Sequence, residues 1–169
     1  MHYIRKATPD DAPDLVNLIN ALAEYEKLLH ESHPDVDALA KHLAANAHPK
    51  CEALVAVVTP DDGSGDKIVG MALYFFNYST FLTRWGVFLE DLFVLPEYRG
   101  KSIGFSLLKE LAKVAVSHDC RRLDWNVLDW NELAIDFYKQ IGAKPMSEWT
   151  TMRLEDEALH RLAEVQEAN

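Results

Sequence analysis

Two adjacent carboxylates, Glu90 and Asp91, interrupt an apolar run from Val87 to Leu95. Successive side chains of a strand alternate between its faces, so the two acids should point in opposite directions. Phe88 and Leu92 flank Glu90 on its own face, and an apolar setting raises the pKa of a carboxyl group toward the range of a general base. We therefore expect Glu90 to be a base or proton relay, an anchor for a substrate cation, or part of a structural ion pair. Asp91 would be structural or border a substrate site.

The loop that follows, Arg99-Gly100-Lys101-Ser102-Ile103-Gly104, supplies small residues where an amphipathic helix begins. Backbone N–H groups in the first turn of a helix lack intrahelical partners and carry partial positive charge, which suits a phosphate group. A solvated glycine loop is the alternative. The apolar strand before the loop and the helix after it favour phosphate binding.

Hydrophobic periodicity predicts the elements that would position these groups. Both alternation classes of Val87–Leu95 are apolar, which is typical of a strand covered on both sides, with Val87, Leu89, Phe93 and Leu95 on one face. Gly70, inside another strand, indicates a bulge or a close backbone approach. The remaining predicted strands are Tyr3–Lys6, Cys51–Thr59, Ile68–Asn77, Leu123–Val127 and Met146–Leu154. The predicted helices are Thr8–Glu26, Val36–Ala47, Gly104–His118, Asn131–Gly142 and Glu155–Glu167. This order predicts a single α/β domain over residues 1–169.

Three blocks of the sequence resemble a known family. R-G-K-S-I-G after an apolar strand resembles the acetyl-coenzyme A (acetyl-CoA) loop of the GCN5-related N-acetyltransferases (GNATs), with the pattern Gln/Arg-x-x-Gly-x-Gly/Ala. LEDLFVLPEYRG and VLDWNELAIDFYKQIGA resemble the diamine (spermidine/spermine) acetyltransferases and their thialysine-acetylating relatives, and the resemblance runs from about Tyr3 to Trp149. It implies the GNAT fold, a mixed, mostly antiparallel twisted sheet flanked by helices. One departure is that Ser102 stands where the family has the middle glycine of the loop.

The resemblance implies acetyl-CoA as co-substrate and assigns residues to it. Tyr138 matches a family tyrosine that protonates the departing thiolate, although a core tyrosine with an ordinary hydrogen bond is the alternative. Asn131 could cap its helix and also touch the pantetheine arm. The implied coenzyme-binding residues are Leu92, Phe93, Val94, Arg99, Gly100, Lys101, Ser102, Ile103, Gly104, Phe105, Asn131 and Tyr138.

The resemblance also assigns residues to the amine substrate. An aromatic ring beside acids suits a cation, through cation–π contact and charge. Ser79 stands where the spermidine enzymes have an acid, which favours a shorter amine than a polyamine. The implied substrate-binding residues are Tyr25, Glu26, Glu90, Asp124, Trp125, Asn126, Glu148 and Trp149, with Trp125 equally well explained as core.

Composition limits the classes of function. The 169 residues carry a formal net charge of −10, which argues against a nucleic-acid partner and is compatible with cationic amines or with solubility alone. The two cysteines, Cys51 and Cys120, make neither a disulfide framework nor a metal spacing, and the seven histidines are scattered, so no metal is expected. No apolar run is long enough to span a bilayer and none resembles a signal peptide, so we expect a cytoplasmic protein without a membrane partner.

These observations together predict an acetyl-CoA-dependent N-acetyltransferase. We expect it to acetylate a primary amine of a small substrate, a thialysine- or lysine-like amino acid or a diamine. The amine would attack directly, since neither cysteine lies in the matching blocks beside a histidine. A polyamine acetyltransferase, a protein or peptide acetyltransferase and a non-catalytic acetyl-CoA-binding module are the alternatives. The resemblance also implies a homodimer.

Overall fold

The computed structural model describes residues 1–48 and 50–164. Within these ranges the strands are β1 (His2–Lys6), β2 (Glu52–Val58), β3 (Lys67–Ser79), β4 (Arg84–Val94) and β5 (Leu123–Trp125). The α-helices are α1 (Ala12–Tyr25), α2 (Val36–Leu43), α3 (Ile103–Ser117), α4 (Glu132–Gln140) and α5 (Asp156–Glu164). Single 3₁₀ turns lie at Pro9–Asp11, Leu29–Glu31 and Pro96–Tyr98. Among the described helices, none has both the length and the apolar character needed to cross a membrane.

The described strands form one five-stranded sheet in the order β1-β2-β3-β4-β5. The first three pairings are antiparallel and the pairing of β4 with β5 is parallel. Helices flank the sheet on both faces. The predicted α/β fold with a mixed, mostly antiparallel sheet is therefore confirmed.

Local capping signals start the helices near the predicted residues. The side chain of Asp11 accepts from the Thr8 backbone N–H at 2.7 Å in a capping box, and Pro9 occupies the first position of the 3₁₀ turn that leads into α1. At α4, Asn131 Oδ1 accepts from the backbone N–H of Ala134 at 3.3 Å, which confirms the predicted cap.

One face of the sheet packs against α1 and α2. Met71 of β3 and Phe93 of β4 belong to a buried cluster with leucines of these two helices. Leu73 and Leu95 pack against the same cluster. The buried members of the cluster are Ala7, Leu15, Leu18, Leu43, Ala53, Val55, Val57, Met71 and Phe93.

The other face packs against α3. A Cβ built on Gly70 would lie 3.4 Å from Leu107 Cδ1, and the Phe76 ring centroid is 5.0 Å from that of His118, the C-cap residue of α3. The same Cβ would lie only 2.9 Å from the backbone oxygen of Phe93. The predicted close backbone approach at Gly70 is therefore confirmed.

β4 contains a β-bulge at Glu90. Asp91 pairs with Leu73, and Leu89 pairs with the adjacent Tyr74, so Glu90 has no paired residue of its own on β3. A bulge adds one residue to one strand and changes the face to which the side chains beyond it point. The simple alternation assumed for this strand therefore ends at Glu90.

The bulge corrects the predicted faces of the central strand. Leu89 lies opposite Tyr74, which is on the α3 face with Gly70, and Val87 is two residues before Leu89 on the same face. Phe93 and Leu95, beyond the bulge, pack with α1 and α2. The prediction that Val87, Leu89, Phe93 and Leu95 share one face is wrong.

Toward the carboxyl end, the predicted strand Met146–Leu154 is also wrong, because no strand is present there and every residue of the segment is exposed. Its apolar residues are all exposed, so the segment has no buried apolar face that would stabilise a strand; they are Met146, Trp149, Met152 and Leu154. Helix α5 confirms a helical tail, and predicted positions 165–167 lie outside the described residues.

The chain divides into two compact units, Met1–Asn126 and Val127–Asn169. The first holds the whole sheet with α1, α2 and α3, and the second holds α4 and α5. One acetyltransferase domain over residues 1–169 stays a prediction.

Candidate functional site

Three carboxylates come together where α1 ends beside the bulge of β4. Glu26 caps the carboxyl end of α1, and Glu90 and Asp91 lie at the bulge. The charges of Glu90 and Glu26 both raise the pKa of Asp91, which places each of them within electrostatic range of Asp91. We call Glu26, Glu90 and Asp91 the acidic cluster.

Asp91 is the carboxyl whose ionisation is most disfavoured in this cluster. Burial, followed by the charges of Glu90 and Glu26, raises the pKa of Asp91 from 3.8 to about 6. Burial also raises the pKa of Glu26. A half-buried acidic group with its pKa raised toward neutrality and like charges nearby suits a bound cation, which would relieve the repulsion.

The structure corrects the prediction that Glu90 sits in an apolar setting. Glu90 is exposed at the bulge, whereas Asp91 shares the α1 face with Leu73 and Phe93. The physical reason is the inserted residue, which turns Asp91 and not Glu90 toward the covered face. The covered setting and raised pKa predicted for Glu90 are found at Asp91.

Arg99, from the glycine loop, packs against the end of α1 and against β4. Its guanidinium carbon lies 4.8 Å from the Tyr25 ring centroid and 5.4 Å from that of Phe93, within cation–π range of both. Arg99 Nε also donates to the backbone oxygen of Val94 at 2.9 Å. Tyr25, predicted at the amine site, is thus brought beside Arg99, predicted at the coenzyme site.

The loop has the geometry of an anion-binding turn. Gly100 has φ +74°, and no atom lies within 4 Å of the position that a Cβ would occupy. Helix α3 begins at Ile103, so the N–H groups of Ile103, Gly104 and Phe105 form its first turn. Lys101 lies over the Tyr98 ring, 5.1 Å from its centroid. These residues fit the pyrophosphate of a coenzyme.

The backbone conformation of Ser102 explains why the family pattern has a glycine at this position. It is the N-cap of α3 with φ +59° and ψ +16°, in the left-handed region. Glycine adopts this conformation without steric cost, whereas a residue with a Cβ pays about 1–2 kcal/mol. Its carbonyl accepts from the N–H and the hydroxyl of Ser106, at 2.9 and 3.0 Å. The loop geometry is therefore kept, at a cost in strain.

The outer edge of β4 is open beyond Leu89. β5 pairs with Val87–Leu89 only, so within residues 1–48 and 50–164 the edge of Leu92, Phe93 and Val94 that faces away from β3 has no strand alongside. Such an edge presents backbone N–H and C=O groups to an extended ligand. Leu95 donates its N–H to Val69 O on the β3 side, and Val94 O accepts from Arg99 on the other side. Leu92 and Val94 therefore direct their backbone groups to the open edge, whereas those of Phe93 face β3.

The predicted substrate residues Asp124 and Trp125 lie on opposite faces of the sheet. Asp124 pairs with Phe88, whose ring centroid is 5.3 Å from that of Phe75 on the α1 face. Trp125 pairs with Leu89, which faces α3, so the structure does not bring Trp125 to the acidic cluster. Asn126 follows the last residue of the strand.

The other predicted residues lie in the second unit. Tyr138 is partly buried on α4, burial raises its phenol pKa, and its ring centroid is 5.5 Å from that of Phe137. Asn131 caps this helix. Glu148 and Trp149 are exposed in a segment without regular structure. Their roles at a site stay predictions.

Two features of the sheet face that carries Asp91 were not predicted from the sequence. The burial of Asp91 follows from the bulge, for which the only signal was a pair of consecutive acids in an apolar strand. Arg122, which is ion-paired with Asp124 at 2.9 Å between Nε and Oδ2, carried no motif. Among the described residues, no group of three or more His, Cys, Asp or Glu side chains is placed to hold a metal ion.

Comparisons with known proteins agree with this geometry. Residues 16–143 match the model of the acetyltransferase (GNAT) family. A thialysine N-epsilon-acetyltransferase from Mus musculus is 38% identical over 164 residues, covering 95% of this chain and 96% of the relative. An L-ornithine N5-acetyltransferase from Arabidopsis thaliana is 32% identical over 198 residues, covering 94% and 86%. The solved structure of an integron cassette protein from the mobile metagenome of V. cholerae superposes with a TM-score of 0.76 at 29% identity, covering 97% and 98%. The chain therefore belongs to the GNAT family and is an N-acetyltransferase that transfers an acetyl group to an amine.

Proposed function

We propose that the enzyme acetylates the terminal primary amine of a small cationic substrate, first a thialysine- or lysine-like amino acid and second a diamine. The observation that carries the proposal is the acidic cluster, where Asp91 has its pKa raised to about 6 beside Glu90 and Glu26. A substrate ammonium placed there would stabilise all three carboxylates. The relatives named for thialysine and L-ornithine support the same class, since both compounds are amino acids with a terminal amine.

Acetyl-CoA is the proposed co-substrate, and it supplies the acetyl group as an activated thioester. The N–H groups around Gly100 and in the first turn of α3 would hold its phosphates, with Arg99 nearby. The open edge of β4 at Leu92–Val94 would hold the extended arm through backbone hydrogen bonds, and fixed N–H dipoles there suit the oxygen on which negative charge develops.

The amine must lose a proton before it can attack. An alkylammonium with a pKa of ~10.4 is only about one part in 10³ neutral near pH 7, so a proton acceptor is needed. We assign Asp91 and Glu26 to holding the ammonium, and we assign the exposed Glu90 to accepting the proton and passing it to water. The Tyr138 phenol would supply the proton that the departing thiolate takes up.

A thiol-release assay with acetyl-CoA tests the proposal. The panel is thialysine, lysine, ornithine, putrescine, spermidine and a peptide with a free N-terminus. We expect thiol release with the amino acids and diamines, and at least a tenfold loss of kcat/KM in Asp91→Asn, since a hydrogen-bonded charge pair is lost. Glu97→Gln, an exposed acid after the same strand, is the matched control and should leave kcat/KM unchanged.

The same assay separates the rival functions. Release with the peptide alone would assign a protein or peptide acetyltransferase, and a clear preference for spermidine would assign a polyamine acetyltransferase. Acetyl-CoA binding without thiol release from any amine would indicate a coenzyme-binding module. The strained Ser102, which departs from the family pattern, would then be the sequence feature that marks the loss of activity.

We also propose that the enzyme is a cytoplasmic homodimer without a nucleic-acid partner. The family resemblance supports the dimer, the net charge of −10 argues against nucleic acid, and the free cysteines Cys51 and Cys120 are compatible with a reducing compartment. Light scattering coupled to size exclusion would measure the mass, and a monomeric mass would refute the dimer.

A further inference from the structure

We propose that Arg122 binds the carboxylate of the acceptor and thereby selects amino acids with a terminal amine over diamines, which lack the carboxylate. The inference rests on the proposed function, an N-acetyltransferase for small amines with the ammonium held at Asp91. It adds a specificity-determining residue at the other end of the same substrate.

Arg122 lies on the face of the sheet that carries the acidic cluster. A Cβ on Gly86 would lie 2.8 Å from Arg122 Cγ and 3.1 Å from Arg122 Nε, so the arginine side chain crosses Gly86 on that side of the sheet. Gly86 and Phe88 are two residues apart in β4 and share a face. The Phe88 ring contacts that of Phe75, 5.3 Å between centroids, on the same face.

The same face continues to Asp91 on the neighbouring strand. Phe75 and Leu73 are two residues apart in β3, and Leu73 pairs with Asp91 across the bulge. Leu73 packs against the cluster beneath α1 and α2, which confirms the side of the sheet. Arg122 and Asp91 therefore face one common surface, with Phe88 between them.

The separation along this surface matches an amino acid. Arg122 Nε would lie 3.1 Å from a Cβ on Gly86, so the guanidinium lies near the level of Gly86. Asp91 is five positions beyond Gly86, one of them the bulge, which corresponds to about 13–17 Å at ~3.3 Å per residue. An extended lysine separates its terminal nitrogen from its carboxylate by roughly 7 Å, and a hydrogen bond of ~2.9 Å at each end brings the span to about 13 Å.

Arg122 is chemically able to take a second carboxylate. Its side chain is 37% exposed, and the ion pair with Asp124 engages Nε, whereas the guanidinium has five N–H donors. The two Nη groups form an edge that suits a bidentate carboxylate. Arg99 is also on this face, but it is held between Tyr25 and Phe93 at the coenzyme loop. Arg122 lies toward the start of β4, where a substrate would extend away from the coenzyme.

Matched substrates test the inference without changing the protein. The comparison uses lysine with cadaverine and with lysinamide, and ornithine with putrescine, each with the wild-type enzyme. We expect kcat/KM for each amino acid to exceed that for its diamine by at least about tenfold, and lysinamide to behave like cadaverine, because a charge-assisted hydrogen bond is lost. Equal values for lysine and lysinamide would overturn the role of the carboxylate.

Variants assign the effect to Arg122. Arg122→Gln should lower kcat/KM for lysine and ornithine by about 10- to 100-fold and change that for cadaverine and putrescine by less than threefold. Arg122→Lys, which keeps the charge, should lie between. Arg84→Gln is the control, since Arg84 Nε is paired with Asp119 Oδ2 at 3.3 Å and should leave the ratio unchanged. An equal loss for amino acids and diamines in Arg122→Gln would assign Arg122 to a structural role.

The outcomes separate this inference from the proposed function. Acetylation of amines without any dependence on the carboxylate would reject only the role of Arg122. Absence of thiol release with every amine of the panel would reject the proposed function itself.

Discussion

Replacing Asp91 by asparagine should stabilise the folded protein at neutral pH. Burial and the charges of Glu90 and Glu26 raise the pKa of Asp91 from 3.8 to about 6. Since one pKa unit corresponds to ~1.36 kcal/mol, the ionised form costs the folded state about 2–3 kcal/mol relative to the unfolded chain. Asparagine has almost the same shape and no charge, so this cost is absent in Asp91→Asn.

The dependence on pH follows from the direction of the change. The folded-state pKa is above the unfolded one, so the contribution of Asp91 to stability is fully present below about pH 4 and is lost as the pH rises through about 6. Asp91→Asn has no such loss. The difference in unfolding free energy should therefore be near zero at pH 4 and reach about 2–3 kcal/mol at pH 7.5.

Urea denaturation at pH 4, 5, 6 and 7.5 measures this difference. Glu97→Gln, at an exposed carboxylate, should show no comparable dependence and serves as the control. A stabilisation that is equal at every pH, or a variant less stable than the wild type at pH 7.5, would refute the reasoning. A stabilised but inactive Asp91→Asn would indicate that the charge is kept for function at the expense of stability.

Three further predictions concern single residues. Ser102→Gly should raise the unfolding free energy by about 0.5–1 kcal/mol in urea denaturation, because it relieves φ +59°, while Ser102→Ala, which keeps the Cβ, should not. Tyr138→Phe should lower kcat by about 100-fold or more in the thiol-release assay and change the affinity for acetyl-CoA little; an unchanged kcat would remove its role as acid. Gly70→Ala should cost about 1–3 kcal/mol in urea denaturation, since its Cβ would lie 2.9 Å from the Phe93 oxygen. Gly104→Ala, whose Cβ would meet only Val94 Cγ2 at 3.9 Å, should not destabilise, and equal effects of the two substitutions would contradict this account.

Local chemistry in the sequence was enough to predict most elements. The capping signals at Thr8 and Asn131 act within four residues, and the apolar character of β4 on both alternation classes indicated a buried strand. The turn from β4 into α3 was predicted for the same reason, since glycine at +74° and a helix start are local properties. The resemblance added the family and the expected sheet.

The site depended on contacts between distant parts of the chain. The bulge at Glu90 arises from the register of β4 against β3, and a shift of one residue exchanges the faces of all side chains beyond it. For that reason the sequence drew attention to Glu90 and Asp91 but predicted the covered setting for Glu90, whereas the fold covers Asp91.

The placement of Arg122 could not be predicted from the sequence either. Its neighbours in sequence gave no indication of a role, and only the crossing of Gly86 places its guanidinium on the face of the acidic cluster. The sequence by itself determined which elements form, where the helices begin and which residue types are available for the chemistry. The tertiary structure decided which of those side chains share a surface, because strand register is set by pairing across the sheet and not by the residues next to each other in the chain.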